Sequence, residues 1–158
     1  MVIRDDFLDF IKRVENGAKS GYDPETSMWK PHASPEGGND TIGYGHKLAD
    51  DETWMQSGVS DANIEDLLLN DLWRAEDGAN TVVDNFNKLD QYKQEMLVDF
   101  VYNLGAHGLR RFPKFRKAIA DDDIATMRQE YKRYYTDSNG VKKELEHRNR
   151  EFYDMFLV

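Results

Sequence analysis

The stretch Thr41-Ile42-Gly43-Tyr44-Gly45-His46 constrains this chain more than any other, because it follows a Glu15-Asn16-Gly17 that closes an amphipathic N-terminal segment. From Thr41 to Leu48 bulky and small residues alternate, the pattern of a short strand whose glycines admit another backbone or a ligand. Upstream, Phe7, Phe10, Ile11 and Val14 recur at helical spacing, Asp5 and Asp6 suit a helix start, and Asn16-Gly17 is a stop signal. Glu15 is therefore expected on the last turn of a helix, where unpaired carbonyls carry partial negative charge and favour the protonated acid. Such a carboxyl, facing a glycine-opened strand, is equipped for general acid chemistry. The plain alternatives are that Glu15 is a solvated helix residue and Thr41 an ordinary β-branched strand residue.

Residues 16–40 are punctuated by Pro24, Pro31, Pro35 and Gly37-Gly38 and read as a loop region framing short strands. Beyond them the chain reads helical. Ser60, Asn63 and Glu65 open a run whose apolar face is Ile64, Leu67, Leu68, Leu72, Ala75 and Ala79. Met96, Leu97, Phe100, Val101 and Leu104 mark a second helix, expected to end at Gly105-Ala106-His107-Gly108. Helical segments are expected at 113–120 and 122–135, then a turn around Asp137-Ser138-Asn139-Gly140 and a last helix bearing Leu145, Phe152, Met155 and Phe156. The fold class is α+β, in one domain over 1–158: a small strand and loop lobe over about 16–60, and a helical lobe from 1–15 and 61–158. A groove between such lobes is a natural binding site, with Trp29, Tyr44 and Tyr102 beside it as packing residues or as ligand platforms.

Charge excludes one class of function. Residues 1–104 hold 9 Lys+Arg against 21 Asp+Glu, and residues 105–158 hold 12 against 9, so the net charge of −9 divides into −12 and +3. A nucleic-acid binder needs a broad basic face, and the cluster Arg110, Arg111, Lys114, Arg116 and Lys117 reads instead as a solvated helix start. With no cysteine there is no disulfide, which fits a reducing compartment. No apolar run reaches the roughly 20 residues of a membrane span, and the N-terminus lacks a signal-peptide hydrophobic stretch. His46 stands without a second His or Cys at ligand spacing, so it is expected to be structural, and no metal site is expected.

Taken in order, these residues resemble the phage-type lysozymes, the endolysin muramidases of glycoside hydrolase family 24. The resemblance rests on Glu15 at the first helix end, Thr41 through His46, the Tyr102-Asn103-Leu104-Gly105 that closes a helix, and, more loosely, Leu145, Arg148, Arg150 and Phe156. It implies a lysozyme-like fold and hydrolysis of the β-1,4 bond between N-acetylmuramic acid and N-acetylglucosamine, with no cofactor. Glu15 would protonate the leaving oxygen and Thr41 would hold the attacking water. Tyr102, Asn103 and His32 would contact substrate. His46 would pair with a carboxylate that ties the lobes together, and Arg148 would approach Glu15, opposing the helix-end effect.

The second acid is where the chain departs from the pattern. In most relatives an aspartate lies about nine residues after the Glu and about six before the Thr. Here Thr41 comes 26 positions after Glu15, and no residue meets both spacings. Glu36, between Pro35 and two glycines, is the first candidate and Asp23 the second; Asp40 is next to Thr41 and should face the other way in a strand. A lytic transglycosylase, which needs no second carboxylate, and a non-catalytic peptidoglycan-binding or virion module are the alternatives. The resemblance further implies a monomer made in the host cytoplasm and acting on the cell wall, with peptidoglycan strands as its partner.

Overall fold

The computed structural model describes residues 1–33 and 38–158, which form two compact units. Glu36 lies outside the described residues. One unit is Arg4–Arg74; the other joins Met1–Ile3 to Ala75–Val158. The first therefore includes the N-terminal helix as well as residues 16–60.

In the Arg4–Arg74 unit, helix α1 (Asp5–Asn16) buries Phe7, Phe10 and Ile11, the stripe its spacing predicts. It stops where Asn16-Gly17 says it should, but not through a left-handed glycine: Gly17 keeps a helical φ of −62°. The Asn16 side chain redirects the chain instead. Its Oδ1 accepts the Ser20 N–H at 2.9 Å, and its Nδ2 donates to the Ser20 carbonyl at 3.1 Å and to the Gly43 carbonyl at 3.0 Å.

Strands β1 (Tyr22–Asp23), β2 (Met28–Trp29) and β5 (Val59–Ser60) form an antiparallel sheet in the order β1-β2-β5, with Trp29 opposite both Tyr22 and Val59. Strands β3 (Thr41–Ile42) and β4 (His46–Lys47) make a separate hairpin pairing Thr41 with Lys47 and Ile42 with His46. Its turn places Gly43 and Gly45 at φ of 63° and 91°, conformations that L side chains rarely adopt. At Gly43 a Cβ would also stand 2.9 Å from the Ile64 side chain, so the glycine lets helix α2 (Asp61–Val82) pack against the turn. The Ser60 hydroxyl accepts the Asn63 N–H at the start of α2, as the Ser60 and Asn63 pattern anticipates. Trp29, fully buried, lies 5.2 Å from Tyr44, itself 6% exposed; both pack as core.

The other unit is mainly helical, with α3 (Gln91–Arg110), α4 (Pro113–Ala120), α5 (Ile124–Tyr131) and α6 (Glu146–Phe156). Phe100, Phe115, Tyr131 and Phe152 are buried together, and the Tyr131 and Phe152 rings stack at 3.5 Å. Gly105, at φ 75° and ψ 166°, breaks the helical run from Gln91 where a stop is expected, and helix then resumes directly to Arg110. One expectation is corrected here. The helix expected over 122–135 stops at Tyr131, and Tyr134–Thr136 (β6) pairs with Lys142–Glu144 (β7) in a hairpin around the anticipated turn. There Asp137 Oδ1 accepts the Asn139 and Val141 N–H groups, each at 2.9 Å.

Candidate active site

Glu15, half-buried, is the penultimate residue of α1. The bond from Asn16 to the Gly43 carbonyl ties the residue after Glu15 to the hairpin turn two residues beyond Thr41. Helix end and hairpin are thereby held within one unit by a side chain rather than by a strand ladder.

Thr41 is 7% exposed. It forms an isolated antiparallel bridge with His32, with His32 N–H to Thr41 carbonyl at 2.8 Å and Thr41 N–H to His32 carbonyl at 2.9 Å. The two side chains also meet, His32 Nε2 lying 3.1 Å from Thr41 Oγ1. Nothing in the sequence pairs these residues, since they stand nine positions apart with Pro35, Gly37 and Gly38 between them.

Asp23, the second-ranked acid, is exposed in β1. One of its oxygens accepts the Glu25 N–H at 2.9 Å, which shapes the β1–β2 turn. Asp40 is exposed, and its carbonyl accepts the Leu48 N–H at 2.9 Å.

His46 pairs with two carboxylates. Nδ1 is 2.8 Å from Asp71 of α2, and Nε2 is 3.0 Å from Glu52 in the turn Thr53–Ser57 follows. The hydrogen bond to Asp71, more than any other influence, raises the affinity of the imidazole for its proton, against the opposing effect of burial. Glu52 is held below its usual range, first by the Ala49 N–H and further by His46. All three residues belong to the same unit, so His46 fastens the hairpin to α2 there. Among the described residues no group of three or more His, Asp or Glu is arranged to hold a metal ion.

Tyr102 and Asn103 lie in the other unit, on α3 just before the Gly105 kink, and both are half-buried. The Asn103 side-chain oxygen accepts from Arg133 Nε at 3.1 Å. Arg133 lies over the rings of Phe100 and Tyr131, 4.3 and 4.4 Å from their centroids. Asn149 closes the neighbouring backbone by accepting the Arg133 N–H and donating to its carbonyl. Next to this lies Asp99, with no exposed surface, which accepts the Tyr131 hydroxyl at 2.6 Å and Arg148 Nη2 at 2.8 Å. Burial first, then the Asp99 charge, pushes the Tyr131 hydroxyl well above its ordinary range, so it stays a donor. Sequence reasoning passed over Asp99. Its signal was an acid within the apolar run Met96-Leu97-Val98-Asp99-Phe100-Val101, where a charge needs a partner.

An α+β chain with an acid-bearing helix end fastened to a glycine-opened hairpin belongs to the lysozyme-like class. Its fold is similar to that of the muramidase domain of SpmX from Asticaccaulis excentricus, with a TM-score of 0.68, 21% identity, and 99% of this chain and 98% of that one covered. The phage lysozyme family model matches residues 24–151, and the chain belongs to that family. It is also 26% identical over 124 residues to the "Peptidoglycan hydrolase gp36" of Enterobacteria phage SP6, an alignment covering 69% of this chain and 12% of that relative's length.

Proposed function

We propose that this chain is a muramidase that hydrolyses the β-1,4 bond between N-acetylmuramic acid and N-acetylglucosamine in peptidoglycan. The observation that carries the reading is the Asn16 bond to the Gly43 carbonyl, which fastens the end of the Glu15 helix to the Thr41 hairpin. Family membership and the name of the phage SP6 relative support the substrate.

In this reading Glu15 gives its proton to the glycosidic oxygen as the bond to the muramic C1 breaks. A water held by the Thr41 hydroxyl forms the new C1–O bond, and its surplus proton leaves to solvent, from which Glu15 is reprotonated. Thr41 suits the task because a hydroxyl donates and accepts without adding charge to an oxocarbenium-like transition state. Glu36 is the carboxylate proposed to direct that water, and it precedes Thr41 by five residues. Asp23 is the weaker choice because one of its oxygens already serves a turn. Tyr102 and Asn103 are proposed contacts to the sugar chain, and His32 a contact to the sugar or to the attacking water. The protein is proposed to act on the cell wall as a monomer. No helix among the described residues is long and apolar enough to cross a membrane.

The test is digestion of purified peptidoglycan with mass spectrometry of the soluble products. Reducing muramic ends, abolished in Glu15→Gln, are expected. Anhydro ends alone would make the chain a transglycosylase, and binding to sacculi without release of fragments would make it a binding module.

A further inference from the structure

We infer that His32 is a positioning residue for the proposed hydrolysis, orienting the Thr41 hydroxyl so that one lone pair and the hydroxyl proton are left for the attacking water. The inference rests on the muramidase reading and deepens it by explaining how a freely rotating hydroxyl is given a direction.

Three observations converge on the pair. The backbones of His32 and Thr41 exchange both hydrogen bonds of an antiparallel bridge, so the two Cα positions are locked opposite each other. Their side chains leave the bridge on the same side and meet at 3.1 Å. Gly21 leaves the imidazole its place, since a Cβ there would stand 3.2 Å from His32 Nδ1 and 2.4 Å from the Lys30 carbonyl oxygen.

The same surroundings choose the tautomer. His32 Nδ1 is buried and has no hydrogen-bond partner among the described residues. A neutral imidazole carries one N–H, and a buried N–H without an acceptor is a rarer defect than an unfilled lone pair. The proton therefore belongs on Nε2, which donates it to Thr41 Oγ1. Of the hydroxyl's three hydrogen-bonding positions, His32 then occupies one lone pair. The other lone pair accepts a hydrogen from water, turning the water's own lone pair outward for attack on C1.

Three forms of the protein test this: wild type, His32→Phe, which keeps a flat ring without a donor, and His32→Gln, which restores one. Wild type is assayed first. Release of reducing ends leaves the inference open to the variants, whereas exclusively anhydro products, or no products, overturn the muramidase reading and the inference with it. With wild type active, His32→Phe is expected to lose about tenfold to a hundredfold in kcat at nearly unchanged KM. A larger share of its products should carry anhydro ends, because the muramic 6-hydroxyl competes with a poorly held water. His32→Gln should recover much of the rate and the product ratio. Unchanged kcat and products in a folded His32→Phe would overturn the inference, as would a loss confined to KM, which marks a sugar contact instead. Should the Phe variant fail to fold, nitrogen NMR of histidine-labelled wild type decides: a proton on Nε2 with bare Nδ1 is the expected result, and the reverse tautomer overturns it.

Discussion

The Arg4–Arg74 unit and the unit built on Ala75–Val158 use polar side chains in opposite ways. In the first, strands of two residues each are too short to sustain a ladder, and single side chains take over the fastening: Asn16 to Gly43, His46 to Asp71 and Glu52, and Trp29 Nε1 to Asp61 at 3.0 Å. Most of these ties lie at half-buried positions. In the second, Asp99 and Arg148 pair at 0% and 6% exposure beside an aromatic cluster, where a charge is held out of water. Polar ties at the edge of a core add modestly to stability and set geometry, whereas the fully buried pair is costly to form and far costlier to break.

The largest effect should therefore come from Asp99→Ala, which removes the buried acceptor of both Arg148 Nη2 and the Tyr131 hydroxyl. A loss of about 3–5 kcal/mol is expected in urea denaturation. A loss below about 1 kcal/mol would place the pair with the modest ties of the other unit. Gly105→Ala should follow, at about 1–3 kcal/mol, because φ 75° with ψ 166° is open essentially to glycine. No atom lies within 4 Å of the position a Cβ would take there, so the effect is one of backbone conformation alone, and a loss near zero would show that α3 straightens freely.

Asn16→Ala should cost only about 1 kcal/mol, as for other side-chain ties to backbone. Its lytic activity should fall more than its stability, since the tie sets the Glu15 helix end against the Thr41 hairpin. Activity that merely follows the unfolded fraction would remove that distinction. The smallest effect is the pH dependence of the His46 tie. Because folding raises the imidazole's proton affinity, first through Asp71, its contribution is complete below the ordinary value of 6.5 and is lost as pH rises through the folded value. Glu52 acts in the opposite sense: its contribution is present above the ordinary 4.5 and lost as pH falls through its lowered value. Urea midpoints across this range should lose their alkaline slope in His46→Gln, and an unaltered slope would assign it to another group.

Much of this contrast was legible beforehand. Phe7, Phe10 and Ile11, the stop at Asn16 and the Ser60 opening of α2 follow from local pattern, and a carboxylate partner for His46 follows from the family resemblance. The β6–β7 hairpin was hidden because Tyr134-Tyr135-Thr136 and Lys142-Lys143-Glu144 are mostly exposed and show no alternation between apolar and polar residues. The break at Gly105 was legible in the glycine, but the helix that resumes beyond it was not, because glycine permits a kink and a stop equally. The pairing of His32 with Thr41 was out of reach for a different reason. It depends on where a loop returns the chain, which spacing does not encode.

The burial of Trp29 carries an experimental consequence. All three tryptophans, Trp29, Trp54 and Trp73, fall within Arg4–Arg74, and only Trp29 is shielded, its indole N–H held by Asp61. Indole emission thus reports on that unit alone, with Trp29 the fluorophore whose colour shifts when water reaches it. Near-ultraviolet dichroism, by contrast, draws on both units, on Tyr22, Trp29 and Tyr44 in one and on the stacked Tyr131 and Phe152 in the other. Melting curves at the two wavelengths will coincide if the units unfold as one and separate if they do not, with no label attached.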